Sequence, residues 1–485
     1  MTLPILWTID DIRAATGGDL LSTTDLPSFS GVGIDSRKIR AGEIFVAIPG
    51  QRYDGHSFVS EAVKAGVRFL IVQSDMVDSL PVSKWRKGKV ACMAVDDTIR
   101  ALGAMAAYQR RRAGIAVAAV TGSNGKTTTK EMIASVLGRR YKVLATPGNL
   151  NNEIGLPLTL LQLSYDHQTG VVEMGMNHPG EIKGLSAICE PDIGVITNIG
   201  PAHLEGLGSI DAVAEAKAEL LENIKPGGMA VLNADDDYGP WLASRTDRRV
   251  IFFGCGRGAD IRAENIEEGE SGIRFTLIMP EESAEVQLQL RWRFMVHNAL
   301  AAAAVGYLMD VSASDISSAL AEFQPVAGRM AVYRTTAGAY IIDDTYNANP
   351  GSMQTAIRSL ASLSDRKRGI LVAGDMLELG EASARLHEDI GRLAAEAGIN
   401  RLYLAGEFAS RVAQGARCGG MSGVDIFVGT KQDIVKELEN RMKPGDWILV
   451  KGSRSTGMDE IVARLTADAR IHAASDPAGQ GAVRS

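Results

Sequence analysis

Only four cysteines occur in 485 residues, Cys92, Cys189, Cys255 and Cys418, and no two form a C-x-x-C pair. That spacing indicates neither a disulfide framework nor a zinc knuckle, so the thiols are read as reduced. Long apolar runs are also missing. No segment approaches the roughly 18 residues of a membrane helix, and the N-terminus has neither a basic start nor a long apolar stretch. A cytoplasmic chain without membrane insertion is expected. Positive charge is not in surplus: 51 Lys and Arg face 58 Asp and Glu, a net charge of -7. No basic field is available for nucleic acid, whereas a small phosphorylated ligand is compatible. Short-period repeats and low-complexity tracts are absent from the sequence.

What is present is an ordinary globular composition, 45% hydrophobic and 22% charged, in a chain longer than one hydrophobic core supports. An α/β fold of three domains is expected. In residues 1–97, strands such as "GEIFVAI" and "VRFLIV" alternate with small helices, giving a smaller N-terminal α/β domain. In residues 98–325, "AVAAVTG", "TGVVEMG", "DIGVITNIG" and "GGMAVLNAD" recur between helices, which predicts a central, P-loop-type, doubly wound parallel sheet. In residues 326–485, "AYIIDDT", "RGILVAGD", "RLYLAG", "DIFVG" and "DWILVKG" each precede a helix, which predicts a C-terminal Rossmann-like domain. The final "AASDPAGQGAVRS" has no apolar face and is expected to be a disordered tail.

One stretch carries chemistry directly. In "AVAAVTGSNGKTTTKEM", an apolar strand runs into Gly122-Ser123-Asn124-Gly125-Lys126-Thr127 and then into a helix expected over Thr128–Arg140. Val120 stands where a Walker A loop has its first glycine, so the motif is partial. Its physics survives: loop amides and a helix N-terminus favour phosphate, Lys126 can reach terminal phosphates, and Thr127 can bind Mg²⁺. Ligands in open α/β sheets gather at carboxyl strand ends, where Glu173 and the loop residue His203 are expected to face Thr127. A carboxylate suits Mg²⁺ well, and an imidazole less well.

The helix "SIDAVAEAKAELLENI" places Lys217 within the apolar stripe of Ile210, Val213, Leu220, Leu221 and Ile224. An ammonium there must snorkel, find an anion or change its chemistry, for example by taking up CO₂ as a carbamate.

These residues, with "GIDSRKIRAGEIFVAIPGQRYDGHSFV", "TPGNLNNEIGLPLTLL", "VEMGMNHPGEI", "NIGPAHLEGLGS", "IIDDTYNANPGSM", "AGDMLELGEAS" and "VKGSR", resemble the Mur ligases over nearly the whole chain. The resemblance implies ATP-dependent amide formation through an acyl phosphate. UDP-N-acetylmuramoyl-tripeptide would supply the carboxylate and D-alanyl-D-alanine the amine. It implies that Gly122, Ser123, Asn124, Gly125, Lys126, Thr127 and Thr128 hold phosphates, the amides of Ser123, Asn124 and Gly125 among the donors. Thr127 and Glu173 would bind one Mg²⁺, and His203 with a carbamylated Lys217 a second. Lys126, His203, Lys217 and Arg329 would form the catalytic set, with Arg329 reaching the phosphates from the third domain. Asp344 would meet the ribose, with Tyr346, Asn347 and Asn349 close to the nucleotide and Asn298 on the adenine side. Asp35, Ser36 and Arg37 resemble the UDP-sugar site. Thr146, Asn149, Asn151 and Asn152 resemble the central substrate loop, and Lys451 and Arg454 would lie near the second substrate. His178, Asp375 and Glu378 mark the same branch without an assigned contact. In one departure, Trp292 and Phe294 replace the glycine and histidine common in the family, with His297 nearby. A monomer is expected. Alternatives are a nucleotide-hydrolysing switch, or a related ligase that adds a single amino acid.

Overall fold

The computed structural model describes residues 3–50, 52–269, 272–364, 368–467 and 470–471, so the expected C-terminal tail lies outside the described residues. The first sheet contains β1 (Asp19–Ser22), β2 (Val32–Gly33), β3 (Ile44–Val46), β4 (Phe69–Gln73) and β5 (Ala91–Val95), in the order β1-β5-β4-β3-β2. All pairs are parallel except β1 with β5. The continuous apolar run of β4 is buried along Phe69–Val72, as a strand covered on both faces should be. Asp97 caps the next helix, Thr98–Ala113, by accepting from the amides of Ile99 and Arg100. This helix joins first and second sheets: Leu102, Met105 and Ala106 share one core with Phe69, Ile71, Leu156 and Leu185.

The central sheet has nine strands: β6 (Ala116–Thr121), β7 (Val143–Ala145), β8 (Thr169–Glu173), β9 (Ile193–Ile196), β10 (Met229–Asn233), β11 (Arg249–Gly254), β12 (Ile261–Gly269), β13 (Gly272–Ile278) and β14 (Ser283–Leu288). Their order is β14-β13-β12-β11-β10-β9-β6-β8-β7. From β12 to β7 every pair is parallel, in accord with the doubly wound expectation. The sheet is not parallel throughout, because β13 and β14 extend it in antiparallel fashion. The cause lies in the side-chain pattern. β13 and β14 alternate buried residues such as Phe275, Leu277, Val286 and Leu288 with exposed ones, which leaves one face in water, and antiparallel strands tolerate this.

The third sheet comprises β15 (Ala331–Arg334), β16 (Tyr340–Asp344), β17 (Gly369–Ala373), β18 (Arg401–Leu404), β19 (Ile426–Val428), β20 (Trp447–Lys451) and β21 (Arg470–Ile471). Its order is β19-β18-β17-β20-β16-β15-β21, parallel from β19 to β16, with β15 antiparallel to both its neighbours. Every strand named from the sequence in this part is present.

Candidate active site

β6 ends at Thr121, and the helix Lys126–Leu137 begins five residues later, slightly earlier than the expected Thr128–Arg140. Two glycines shape the turn between them. Gly122 has φ +146°, and a Cβ there would lie 1.9 Å from Thr197 Oγ1; Gly125 has φ +81°, and a Cβ would lie 2.6 Å from Asn298 Oδ1. Only glycine allows this approach. Lys126 Nζ donates to the carbonyls of Gly122 at 2.8 Å and Ser123 at 3.4 Å, so the side chain arches over the loop.

Two of the loop amides expected to meet phosphate have partners within the protein. Ser123 N–H donates to the Asn198 carbonyl at 2.9 Å, and Asn124 N–H donates to Asn198 Oδ1 at 2.9 Å. These two amides brace the loop. Thr129 N–H donates to the Gly125 carbonyl, so the first-turn amides of Lys126, Thr127 and Thr128 have no carbonyl partner within the helix.

Below the loop, the buried Thr127 donates from Oγ1 to Glu173 Oε2 at 2.7 Å, and Asn151 Nδ2 donates to Glu173 Oε1 at 2.8 Å. Thr146 Oγ1 accepts from Glu173 N–H at 3.0 Å, and Lys130 Nζ, fully buried, donates to the Thr146 carbonyl at 2.6 Å. Thr127, Glu173, Thr146 and Asn151 therefore form one network. Hydroxyl and carboxylate oxygens at a strand end are the donor types Mg²⁺ selects. Asn149 is exposed, and Asn152 Oδ1 accepts from Gly155 N–H at 2.9 Å ahead of the following helix.

His203 has φ +55° and faces the third domain, where its Nδ1 lies 2.8 Å from Glu378 Oε2. Its Nε2 is directed elsewhere, the arrangement of a histidine oriented by a carboxylate. Lys217 is only 1% exposed, so it does not snorkel. Burial, and secondarily the Lys126 cation, pushes its amine well below the ordinary lysine range. Desolvation also lowers Lys126, with Glu173 opposing the shift and the Arg329 cation adding to it.

Arg329 lies with Cζ 4.0 Å above the Tyr346 ring, and its buried Nε has no hydrogen-bond partner among the described residues. An unsatisfied guanidinium N–H beside Lys126 suits an incoming phosphate oxygen. Asn349 Nδ2 donates to Asn124 Oδ1 at 2.9 Å, tying the third sheet's first helix to the phosphate loop. Asn347 is drawn into its own turn, its Oδ1 accepting from Ala348 N–H. Lys451, expected near the second substrate, is buried and donates to Asp344 Oδ2 at 2.6 Å and to the Asn347 carbonyl at 2.8 Å. It fixes the aspartate expected at the ribose. Arg454 remains exposed, with Asp459 Oδ2 at 3.7 Å.

In the first sheet's loop, Arg37 pairs with Asp35 at 2.8 Å, which holds the Asp35 carboxyl down at about 2, and Ser36 Oγ reaches Glu61 at 3.4 Å. The Arg37 side chain is 84% exposed and available to an anion. Asn298 is buried against Gly125, whereas Trp292 is a core residue whose Nε1 donates to the Met330 carbonyl at 3.0 Å. His297 turns to Asp235, at 2.8 Å, and not toward the loop.

Sequence reasoning missed Asn198 and Lys130 and left Glu378 without a contact. Their partners are 74, 16 and 175 residues away along the chain, so no local pattern reveals them.

Comparison with known proteins agrees with this architecture. Residues 28–110 match the family described as "Mur ligase family, catalytic domain", residues 120–306 "Mur ligase middle domain", and residues 328–454 "Mur ligase, glutamate ligase domain". The UDP-N-acetylmuramoyl-tripeptide--D-alanyl-D-alanine ligase of Bacillus subtilis is 36% identical over 435 residues, covering 90% of this chain and 93% of that protein. The Escherichia coli enzyme of the same name is also 36% identical over 435 residues, covering 89% and 92%. Among solved structures, MurF from Acinetobacter baumannii aligns with TM-score 0.86 at 34% identity, covering 96% of this chain and all of that one. MurF ligase from Thermotoga maritima in complex with ADP aligns with TM-score 0.77 at 29% identity, covering 92% and 98%. On these matches the chain belongs to the Mur ligase family.

Proposed function

We propose that this chain uses ATP to join D-alanyl-D-alanine to UDP-N-acetylmuramoyl-tripeptide, making the pentapeptide precursor of peptidoglycan. The carrying observation is the gathering of Lys126, Lys217 and Arg329 at one glycine loop, with Thr127 and Glu173 supplying oxygen ligands beside them. The names of the high-coverage relatives supply the substrates.

A carboxylate is a poor electrophile, because an amine cannot expel oxide from it at neutral pH. In the proposed reaction a carboxylate oxygen of the tripeptide attacks the γ-phosphorus, ADP departs, and an acyl phosphate forms. The dipeptide amine then attacks the acyl carbon, and the tetrahedral intermediate collapses with loss of phosphate and a proton. Positioning and neutralisation of charge do most of this work, so no enzyme nucleophile is needed. Lys126 and the first-turn amides hold the β- and γ-phosphates, and Arg329 adds a fixed cation from the third domain. Thr127 and Glu173 would hold one Mg²⁺, and His203 with carbamylated Lys217 a second. Bound there, Mg²⁺ supplies neutralisation of phosphate charge. Burial holds the Lys217 amine well below the usual lysine range, which favours the neutral form that reacts with CO₂. Asp344, fixed by Lys451, is assigned to the ribose, and Asn298 to the adenine side. Arg37 and Ser36 receive the UDP diphosphate. The working unit in this reading is a cytoplasmic monomer.

The test is phosphate release from ATP with each substrate omitted in turn, and the mass of the product. Release that requires both substrates, with one dipeptide added to the product, supports the ligase. Release with neither substrate supports a hydrolytic switch, and release with a single amino acid supports another ligase of the family.

A further inference from the structure

Away from the phosphate loop, three potential metal ligands from three elements meet. Among the described residues, Asp235, Cys255 and His297 are the group whose ligand atoms all lie within 4.8 Å of one another. Asp235 follows the carboxyl end of β10, Cys255 follows that of β11, and His297 lies in the first turn of the helix Met295–Leu308. The group therefore shares the carboxyl edge of the central sheet with the phosphate loop, on strands farther along. Its cradle is encoded by the sequence "GCGRG". The Cys255 and Gly256 amides donate to the Asp235 carboxylate at 2.5 and 3.1 Å. A Cβ at Gly254 or Gly256 would come within 2.9 or 3.0 Å of that carboxylate.

The orientation of the donors separates two explanations. His297 Nε2 lies 2.8 Å from Asp235 Oδ2 and 3.8 Å from Cys255 Sγ. A thiol–imidazole–carboxylate relay uses the two ring nitrogens for its two partners. Here both partners address the same nitrogen, so one proton cannot serve both. Three donors converge on a point. In tetrahedral zinc sites, metal–nitrogen, metal–oxygen and metal–sulfur bonds of about 2.0–2.3 Å separate ligand atoms by roughly 3.3–3.6 Å. At 2.8 and 3.8 Å from the Asp235 oxygen and the Cys255 sulfur, His297 Nε2 lies within about half an ångström of that spacing from each.

We propose that Asp235, Cys255 and His297 form a three-ligand site for a divalent cation of the zinc class, distinct from any Mg²⁺ site at the phosphate loop. Sulfur and imidazole ligands disfavour Mg²⁺ and suit zinc or cobalt. The Asp235 and His297 side chains are 30% and 31% exposed, which leaves the fourth position to water. Binding displaces the thiol proton to solvent. The ion fastens the ends of β10 and β11 to the helix that carries Asn298.

The test uses untagged, full-length protein carrying Cys418→Ser, which removes the exposed thiol. Titration with Co²⁺ should produce a thiolate-to-cobalt charge-transfer band at one equivalent, and Cys255→Ser should abolish it. Zinc should raise the unfolding temperature of the parent protein but not that of His297→Ala, a partly exposed position whose replacement leaves the core intact. Absence of the band, a band that persists in Cys255→Ser, or equal zinc stabilisation of parent and His297→Ala would overturn the site.

Discussion

Lys217 is where a single residue has the clearest consequence. A carbamate at Nζ would turn a buried cation into an anion able to hold a metal, so Lys217→Ala should lower kcat by on the order of 10²–10³. Added acetate or formate should restore part of it. Full activity without added acid would contradict the carbamate role. Glu378 makes a complementary prediction through His203. Outer carboxylates that orient a metal-binding histidine typically matter 10–100-fold, so Glu378→Gln should weaken Mg²⁺ activation by about that factor. The His203 hydrogen bond holds the Glu378 carboxyl below its usual value. A lowered carboxyl contributes above its unfolded pKa and loses that contribution as pH falls through the folded one. The contact is thus complete at neutral pH and lost only in acid, and Mg²⁺ titrations at descending pH should show the wild type converging on Glu378→Gln. Lys217 could be found in the sequence because one charge interrupts an apolar stripe. Lys130 could not, because its burial depends on the Thr146 loop folding over it.

At the level of elements, the strand–loop–helix unit depends on glycine. Gly122→Ala places a Cβ into Thr197 at a backbone angle that L-residues rarely adopt. It should destabilise the protein by at least about 1–2 kcal/mol and greatly weaken nucleotide binding, as measured by denaturant midpoint and ADP titration. Trp292 belongs to packing instead. Trp292→Ala should cost about 3–5 kcal/mol of stability, measured by denaturant unfolding. Parallel strands with continuous apolar runs, such as β4, β9 and β20, were legible for the same reason they are buried: both faces are covered. The antiparallel pair β13–β14 escaped notice because its half-exposed alternation, in "IRFTLI" and "SAEVQL", is a weaker signal. Trp292 shows a different limit. The sequence marks it only as a departure from the family's glycine, while the fold turns it to the Met330 carbonyl.

Across the whole molecule, the candidate site draws on residues carried by both the second and the third sheets. The ties between them include Asn124–Asn349 at 2.9 Å, His203–Glu378 at 2.8 Å and Glu205 N–H to the Glu378 carbonyl at 3.0 Å. Polar contacts of this kind separate easily, so closure should depend on ligand. Asn349→Ala should raise KM for ATP, and small-angle scattering should show it less compact than wild type when nucleotide is bound. The gathering of Lys126, Lys217 and Arg329 from distant parts of the chain was foreseen only through family resemblance, since spacing alone cannot place Arg329 beside a loop some 200 residues earlier. The most direct measurement of the central claim follows ¹⁸O from the terminal carboxylate of the tripeptide during turnover with ATP and D-alanyl-D-alanine. Group transfer through an acyl phosphate predicts one ¹⁸O in each phosphate released, alongside a product heavier by one dipeptide. Unlabelled phosphate would mean that water, not the tripeptide, takes the γ-phosphoryl group, and would contradict it.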